Sequence, residues 1–342
     1  MVKKILFVTN SHSVFSEPLQ AAFKAHGCEI YISDYRGNAV LTPGKFIHRV
    51  VAKFPRLCKQ GILNLAQWHS DYKTLAEAKA FKPDLIFVVK GKDIHRSILK
   101  KLRSITRTAN YYPETFDHWE RIQDLASQYD YFFNYDSEVV NKLKEQGRAG
   151  AYYIPFAADL DKNAKEPDFT GRKYNISFVG SFMPIRYTQR ETILAQVKDL
   201  GVNVWGNKAW LETSLKDYYH GRPSTEEMLN IYRQSKIVVN IDLMQGVAGS
   251  GVNLRPFEIT AAGALLMNHD DRKDIFNLFE EGKEFISFKG PEDIRSKVEY
   301  YLSHEEERSR LARAGFVRTQ KTHTYTDSVD VILAVINHAY TS

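Results

Sequence analysis

The sequence predicts an α/β protein that consists of two Rossmann-like, doubly wound domains. Apolar runs of strand length alternate with amphipathic segments of helix length, which is the pattern of repeated β-α-β units. A polar stretch at residues 159–168 interrupts this alternation and is typical of a linker. At 342 residues the chain is long enough for two separate cores. We therefore expect one domain over residues 1–158, a second over residues 159–322 and a terminal helix over residues 323–342.

The composition excludes a disordered chain and favours an anionic partner. Apolar residues make up 43% of the chain and charged residues 26%, which is ordinary for a globular protein. The net charge of +6 suits nucleotide sugars, phospholipid headgroups or nucleic acid and does not choose among them. The first apolar run is too short for a signal peptide, and no segment approaches the roughly 20 apolar residues of a membrane span. We therefore expect a cytoplasmic protein. Cys28 and Cys58 have no CxxC partner, which argues against a metal site or a disulfide.

The N-terminal half begins with a β-α-β unit and continues as alternating strands and helices. We expect strands over residues 4–9, 29–33, 82–91, 107–112, 129–136 and 151–159, and helices over residues 17–26, 118–128 and 137–146. The loop after the first strand lacks the G-x-G-x-x-G of dinucleotide-binding domains. It contains His12 at the carboxyl end of the strand, where open α/β sheets bind ligands; a solvated loop histidine is the alternative.

A basic amphipathic helix is predicted over residues 45–59. Basic and apolar residues each recur every three or four positions, and Pro55 ends or kinks the helix. Such a helix suits the surface of an anionic membrane or an anionic acceptor, although its commoner role is to pack on a core with a solvated face. The sequence therefore leaves a peripheral membrane contact open.

The C-terminal half repeats the alternation of strands and helices. We expect strands over residues 175–180, 202–206, 236–241, 264–267 and 284–288, and helices after Pro184 and over residues 224–234, 271–281, 292–302, 305–318 and 325–340. Ser224 and Glu227 form a capping box at the start of one of these helices.

A turn at Gly180 and Ser181 follows the first strand of this half. Arg186 and Arg190 are expected in the first turns of the next helix. Free N–H groups and a guanidinium suit a phosphate, and we favour Arg186 because it lies nearer the turn. The alternative is that one of these arginines pairs with Glu191.

The chain is organised around residues 249–269, which are predicted to form a glycine loop, a short helix and a buried strand. Gly249 and Gly251 let the backbone turn tightly and approach a ligand closely. Asn253 is a suitable N-cap, and Pro256 is tolerated in the first turn. Gly263 ends the helix. The apolar residues expected to face the core are Leu254, Phe257 and Ala261.

Two charged residues on this short helix suggest its chemistry. Arg255 lies at the loop, where free N–H groups and a guanidinium suit a phosphate. Glu258 lies one turn deeper, where a carboxylate can accept hydrogen bonds from both hydroxyls of a vicinal diol. This is the arrangement of a nucleotide-sugar site, with Ser250 and Asn253 completing the loop. The alternative is a surface pair on an ordinary amphipathic helix.

Several motifs resemble one family. They are Arg255-x-Phe257-Glu258, the Ala-Gly-Ala-Leu-Leu that follows, and Asp274-x-x-x-Leu278-Phe279-Glu280-x-Gly282-Lys283-Glu284. They are similar to the C-terminal domain of the CgeB-like glycosyltransferases (the spore maturation protein family), and the resemblance is strongest over residues 175–325. These proteins have the GT-B fold, in which two Rossmann-like domains face a cleft and a C-terminal helix commonly crosses back to the first domain.

The resemblance implies roles for residues at the donor site. Glu258 matches the ribose-binding glutamate of the related group-1 glycosyltransferases. Many relatives have a second glutamate eight residues earlier, where this chain has Ser250, so the donor sugar and the stereochemical outcome stay open. A basic residue near the turn at Gly180 and Ser181, here Arg186, would contact the donor diphosphate.

The resemblance also suggests the general base. Relatives have an acidic residue in the loop after the strand at 107–112, so Glu114 and Asp117 are candidates beside His12. Capping of the helix at 118–128 is the alternative for both carboxylates.

The sequence thus predicts a metal-independent glycosyltransferase that takes a UDP-linked sugar in its C-terminal domain and an unidentified acceptor in its N-terminal domain. It needs no cofactor beyond the nucleotide-sugar substrate. The acidic pairs at 159–161 and 269–271 are interpreted as caps rather than as metal-binding D-x-D motifs. A sugar-nucleotide epimerase or phosphorylase on the same fold, and a nucleic-acid-binding or DNA-modifying protein, are the alternatives.

Overall fold

The structure of the chain, a computed structural model, describes residues 1–10, 13–35, 56–187, 189–242 and 249–338. The side chains of residues 56–64 and 66 are not part of this description. His12 and the predicted basic helix, apart from the backbone of its last four residues, lie outside the described residues. The chain divides into two compact units, one formed by Met1–Ile154 with Ser328–Ser342 and the other by Pro155–Asp327.

The first unit contains a six-stranded parallel sheet in the order β2-β1-β3-β4-β5-β6. Its strands are β1 (Lys4–Thr9), β2 (Glu29–Asp34), β3 (Leu85–Val89), β4 (Arg107–Tyr111), β5 (Tyr131–Asn134) and β6 (Ala151–Tyr153). Its helices are α1 (Ser16–Ala25), α2 (Arg56–Phe81), α3 (Arg96–Arg103), α4 (Trp119–Ala126) and α5 (Ser137–Glu145), with a 3₁₀ turn at Phe116–His118. Every residue of β3 is buried, as expected for a parallel strand covered on both faces.

The second unit contains a five-stranded parallel sheet in the order β11-β10-β9-β7-β8. Its strands are β7 (Tyr174–Val179), β8 (Val202–Trp205), β9 (Ser235–Asn240), β10 (Leu265–His269) and β11 (Ile286–Phe288). Its helices are α6 (Gln189–Ala195), α7 (Thr225–Arg233), α8 (Arg255–Ala261), α9 (Ile275–Leu278), α10 (Pro291–Ser303) and α11 (Glu305–Thr322). Three 3₁₀ turns lie on either side of β8: Lys198–Leu200 precedes the strand, and Lys208–Glu212 and Lys216–Tyr218 follow it. A last helix, α12 (Tyr325–His338), has residues in both units.

The predicted fold class is confirmed, because strands and helices alternate around two parallel sheets. The predicted capping box at the start of α7 is also present: the Ser224 side chain accepts from the Glu227 N–H, and the Glu227 carboxylate accepts from the Ser224 N–H. Within the described ranges, no helix is long and apolar enough to cross a membrane.

Two helix predictions were wrong in extent. The helix expected after Pro184 begins only at Gln189, so Arg186 lies in the preceding turn. The helix expected over residues 271–281 shrinks to the four residues of α9. In that segment Arg272 and the Asp274 N–H bind carbonyls of the glycine loop instead of continuing a helix. A tertiary contact therefore decides the local backbone there.

Candidate functional site

The stretch predicted as loop, helix and strand lies at the carboxyl edge of the second sheet, between β9 and β10. Leu254 occupies the N-cap position of α8, one residue later than predicted. Asn253 still contributes, since its Oδ1 accepts from the Arg255 N–H at 3.0 Å and its Nδ2 donates to Asn240 Oδ1 at 3.2 Å. Gly263 adopts a φ of +72° after the helix, as its predicted role requires. The sequence thus predicted the element but not its N-cap.

The core-facing side of α8 differs from the prediction. Phe257 is fully buried, but Leu254 and Ala261 are only half-buried. Ile259 and Thr260 are buried instead, and the Thr260 hydroxyl lies 2.6 Å from that of Thr319 on α11. Helix α8 contacts strands on one side and α11 on another. Residues on more than one face of the helix are therefore buried.

Glu258 is the mostly buried carboxylate of this site. Within the described part of the chain, no residue forms a hydrogen bond or an ion pair with its side chain. Burial raises the pKa of Glu258 to about 7, and the positive charge of Arg255 opposes that shift. A carboxylate kept from water without a partner is costly, and it is more often found where a ligand supplies the missing donors.

Arg255 is the cation that faces this carboxylate, one helical turn earlier. It is half-buried, and no described residue forms an ion pair with its guanidinium. The buried hydroxyl of Tyr232 on α7 lies beside it. Arg255 and Glu258 interact by charge without direct contact, so the Glu258 carboxylate keeps its hydrogen-bonding capacity for a ligand.

The segment after β10 holds the glycine loop in place by hydrogen bonds. Gly249 adopts a φ of +118°, a conformation that L-residues with side chains rarely take. The Gly249 carbonyl accepts from Arg272 Nη1 at 2.9 Å, and the Ser250 carbonyl accepts from the Asp274 N–H at 3.1 Å. Gly251 is buried. The loop is therefore held in one conformation by the segment after β10.

The turn at Gly180 and Ser181 gives different positions to the two arginines. Arg186 is exposed, whereas Arg190 is 2% exposed. Arg190 donates to the carbonyls of Ser181 and Ile241, and burial lowers its pKa to about 10. Arg190 thus joins the ends of β7 and β9, and Arg186 is the arginine of the two that solvent reaches.

The first unit has its own pocket, of about 330 Å³, at the carboxyl ends of β1, β3 and β4. Glu114 lines it, and its Oε1 lies 2.8 Å from Lys90 Nζ. Lys90 has a φ of +63°, an uncommon conformation for a residue with a side chain. The other lining residues are Asn10, Ser13, Val14, Phe15, Tyr35, Val89 and Lys92.

Two buried asparagines hold the loops of this pocket. Asn110 on β4 donates to the Lys90 carbonyl at 3.1 Å, and Asn134 on β5 donates to the Glu114 carbonyl at 3.2 Å. Asp117 lies in the neighbouring 3₁₀ turn and is exposed. The sequence placed Lys90 at a strand end but gave no sign of its pairing with Glu114, because the two residues come from different loops.

Sequence reasoning also missed the buried polar groups under the glycine loop. His269 and Asp271, interpreted as a cap, form a contact of 3.0 Å between Nδ1 and Oδ1. Arg272 follows them and carries no motif of its own. Among the residues that the structure describes, no group of three or more histidine, cysteine or acidic side chains is arranged to hold a metal ion.

Part of the chain matches a known protein family. Residues 188–334, a little under half of the chain, match the glycosyl transferase-like family. No curated protein matches the chain in sequence.

Three solved structures resemble the chain over nearly its whole length. Sucrose-phosphate synthase from Thermosynechococcus elongatus has a TM-score of 0.67 at 12% identity, covering 99% of this chain and 100% of its own. Alr3699/HepE from Anabaena, in complex with UDP-glucose, has a TM-score of 0.62 at 9% identity, covering 99% and 100%. A putative UDP-N-acetylglucosamine 2-epimerase from Listeria monocytogenes has a TM-score of 0.59 at 11% identity, covering 100% and 98%. Residues 188–334 thus match the glycosyl transferase-like family, and the chain has the GT-B fold.

Proposed function

We propose that the chain is a metal-independent glycosyltransferase of the CgeB-like type, which moves a sugar from a UDP-linked donor to the hydroxyl of an acceptor. The observation that carries this proposal is the mostly buried carboxylate of Glu258, which has no partner among the described residues and lies one helical turn from the half-buried guanidinium of Arg255. These two groups match the two ends of a nucleoside diphosphate. The carboxylate would accept both ribose hydroxyls, and the guanidinium would bind the diphosphate.

The donor end rests on groups that are already in place before a ligand binds. Fixed donors that face the developing charge of a leaving group are usually a large term in catalysis. Here they would be Arg255, the amides of the loop from Gly249 to Gly251, and the exposed Arg186 near Gly180 and Ser181. The UDP-glucose complex of the Anabaena protein, which has the same fold, supports a UDP-linked donor.

The acceptor end of the proposal lies in the first unit. Its pocket of about 330 Å³ has room for a small ring ligand and is lined by both charged and apolar residues. Glu114 would take the proton from the acceptor hydroxyl, and the ammonium of Lys90, 2.8 Å away, orients this carboxylate. His12 and Asp117 stay as predicted candidates for the same role.

Nucleotide binding tests the donor assignment directly. We expect UDP to raise the melting temperature of the protein by several degrees at saturating concentration, because a ligand that binds only the folded state stabilises it. GDP, ADP and dTDP serve as comparison ligands in the same thermal-shift series. A melting temperature that no nucleoside diphosphate changes would contradict the proposal.

Activity is expected to survive removal of divalent metal. The guanidinium and the loop amides would supply the charge stabilisation that a metal ion provides in other transferases. Donor turnover is compared before and after dialysis against EDTA. Loss of turnover that Mn²⁺ restores would refute the metal-independent scheme.

The resemblance to the Listeria epimerase fold makes one further assay worthwhile. An epimerase converts the free donor to a second nucleotide sugar when no acceptor is present. A transferase given donor alone forms no new nucleotide sugar, and it releases UDP only as far as water replaces the acceptor and the free sugar is formed. Product analysis of the protein incubated with donor alone therefore separates these two reactions.

A further inference from the structure

The segment after β10 holds two successive carbonyls of the glycine loop. Arg272 Nη1 donates to the Gly249 carbonyl at 2.9 Å, and the Asp274 N–H donates to the Ser250 carbonyl at 3.1 Å. In a trans peptide the carbonyl and the following N–H point in opposite directions. The N–H groups of Ser250 and Gly251 therefore point away from this segment.

The N–H of Gly251 forms no hydrogen bond within the described part of the chain. Gly251 is buried, and no acceptor for its N–H lies among the described residues. A buried N–H without a partner is rare and costs about as much as a lost hydrogen bond. Such an N–H is a donor that an anion bound at the loop can use.

Arg272 itself is placed as part of the scaffold. Its side chain is 4% exposed, and its Nε lies 3.3 Å from Asp271 Oδ2 and 3.9 Å from Asp242 Oδ2. Two carboxylates thus surround one guanidinium, so the local charge is already compensated. Arg255, by contrast, is half-buried and has no ion-pair partner in the described part of the chain. The two arginines therefore have different roles, although both are basic residues near one loop.

We propose that Arg272 is a positioning residue for the donor diphosphate: through the Gly249 carbonyl it holds the loop in the conformation in which the buried N–H of Gly251 faces the phosphates. This rests on the proposed function, because it takes the ligand of the loop to be a nucleoside diphosphate. Arg255 contacts the ligand, and Arg272 shapes the loop that contacts it. Asp242 and Asp271 keep Arg272 in place.

The test compares UDP with uridine, which lacks the phosphates. In Arg272→Met the affinity for UDP, measured by titration calorimetry, is expected to fall about 10- to 100-fold, the effect of one or two lost hydrogen bonds to a charged group. The affinity for uridine, measured by NMR titration, is expected to stay within about twofold of the wild-type value. If Arg272 only stabilised the fold, its replacement would lower the affinities for UDP and uridine together or would change neither.

Arg308→Met is the matched control. Arg308 is 2% exposed and donates to the carbonyls of Tyr301 and Leu302, so it is as buried as Arg272 but binds a different segment. Its loss is expected to lower stability without changing the ratio of UDP to uridine affinity. Arg272→Lys retains the charge between the two carboxylates and serves if the methionine variant does not fold; its UDP affinity is also expected to fall at constant uridine affinity.

The outcomes separate the two proposals. If the wild-type protein binds no nucleoside diphosphate, both the proposed function and this inference fail. If the wild type binds UDP and the folded Arg272 variants bind it equally well, only the positioning role of Arg272 is overturned.

Discussion

Replacing Glu258 by glutamine is expected to abolish donor binding and, at the same time, to stabilise the fold above neutral pH. The carboxylate would form two charge-assisted hydrogen bonds to the ribose, each contributing about 1.5–3 kcal/mol, so their loss corresponds to roughly 10²- to 10⁴-fold in UDP affinity. Titration calorimetry of UDP into Glu258→Gln and wild type measures this difference. UDP affinity within a factor of three of wild type would reject the ribose-binding role.

The stability gain follows from the pKa of Glu258. Burial raises this pKa from 4.5 to about 7 in the folded protein, so ionisation there opposes folding. The wild type carries no penalty below about pH 4.5; the penalty grows between pH 4.5 and 7 and is complete above pH 7. A change of the pKa from 4.5 to about 7 corresponds to at most about 3.5 kcal/mol. Glu258→Gln is therefore expected to melt several degrees higher than wild type at pH 8.5 and at about the same temperature at pH 4.5.

Asp327→Asn, in the same unit, removes a carboxylate whose pKa is shifted in the opposite direction from that of Glu258. Its carboxylate accepts from the Thr324 N–H and hydroxyl and pairs with Lys162 at 2.5 Å, and its pKa is lowered in the folded protein. This substitution is expected to lower the melting temperature near pH 7 and to leave UDP affinity unchanged. Equal stability changes in the two variants at pH 8.5 would show that Glu258 has no special electrostatic cost.

Replacing Glu114 by glutamine is expected to lower turnover by about 10²- to 10⁴-fold without weakening donor binding, since a general base acts on the acceptor hydroxyl and not on the nucleotide. Lys90 is 38% exposed in its side chain, so losing its partner leaves the ammonium in contact with water and the fold intact. Turnover is followed as UDP release at saturating donor. The affinity for UDP is measured in parallel.

Glu120→Gln is the control for this prediction, and Asp117→Asn tests the second candidate carboxylate. Both residues are exposed, and Glu120 is on α4, outside the lining of the pocket. Glu120→Gln is expected to keep turnover within about twofold of wild type, far from the loss of a general base. A large loss in Asp117→Asn with full activity in Glu114→Gln would transfer the role to Asp117. Full activity in both would leave His12 as the remaining predicted base.

The pattern of the sequence was sufficient for the architecture, and it predicted one position for a donor site. Apolar runs of strand length, such as β3, form buried parallel strands. A strand that is covered on both faces has apolar residues at successive positions, whereas a strand with one face in water alternates apolar and polar residues. Gly249, Gly251, Arg255 and Glu258 were identified as one constellation because loop, helix start and first helical turn are adjacent in the chain. A constellation of this kind can be predicted from the sequence because its residues are only a few positions apart.

The tertiary structure alone decided what each charged side chain faces. Arg272 follows β10 yet holds the loop after β9, and Lys90 and Glu114 meet from two different loops. Arg190, considered for the phosphate but ranked after Arg186, is buried against the carbonyls of Ser181 and Ile241. Glu258 has no partner among the residues that the structure describes. Such contacts join residues that are distant in sequence, and parallel strands bring them together only when the sheet forms. The sequence therefore determined the elements and their order, whereas packing determined burial, and burial determined which charges are left for a ligand.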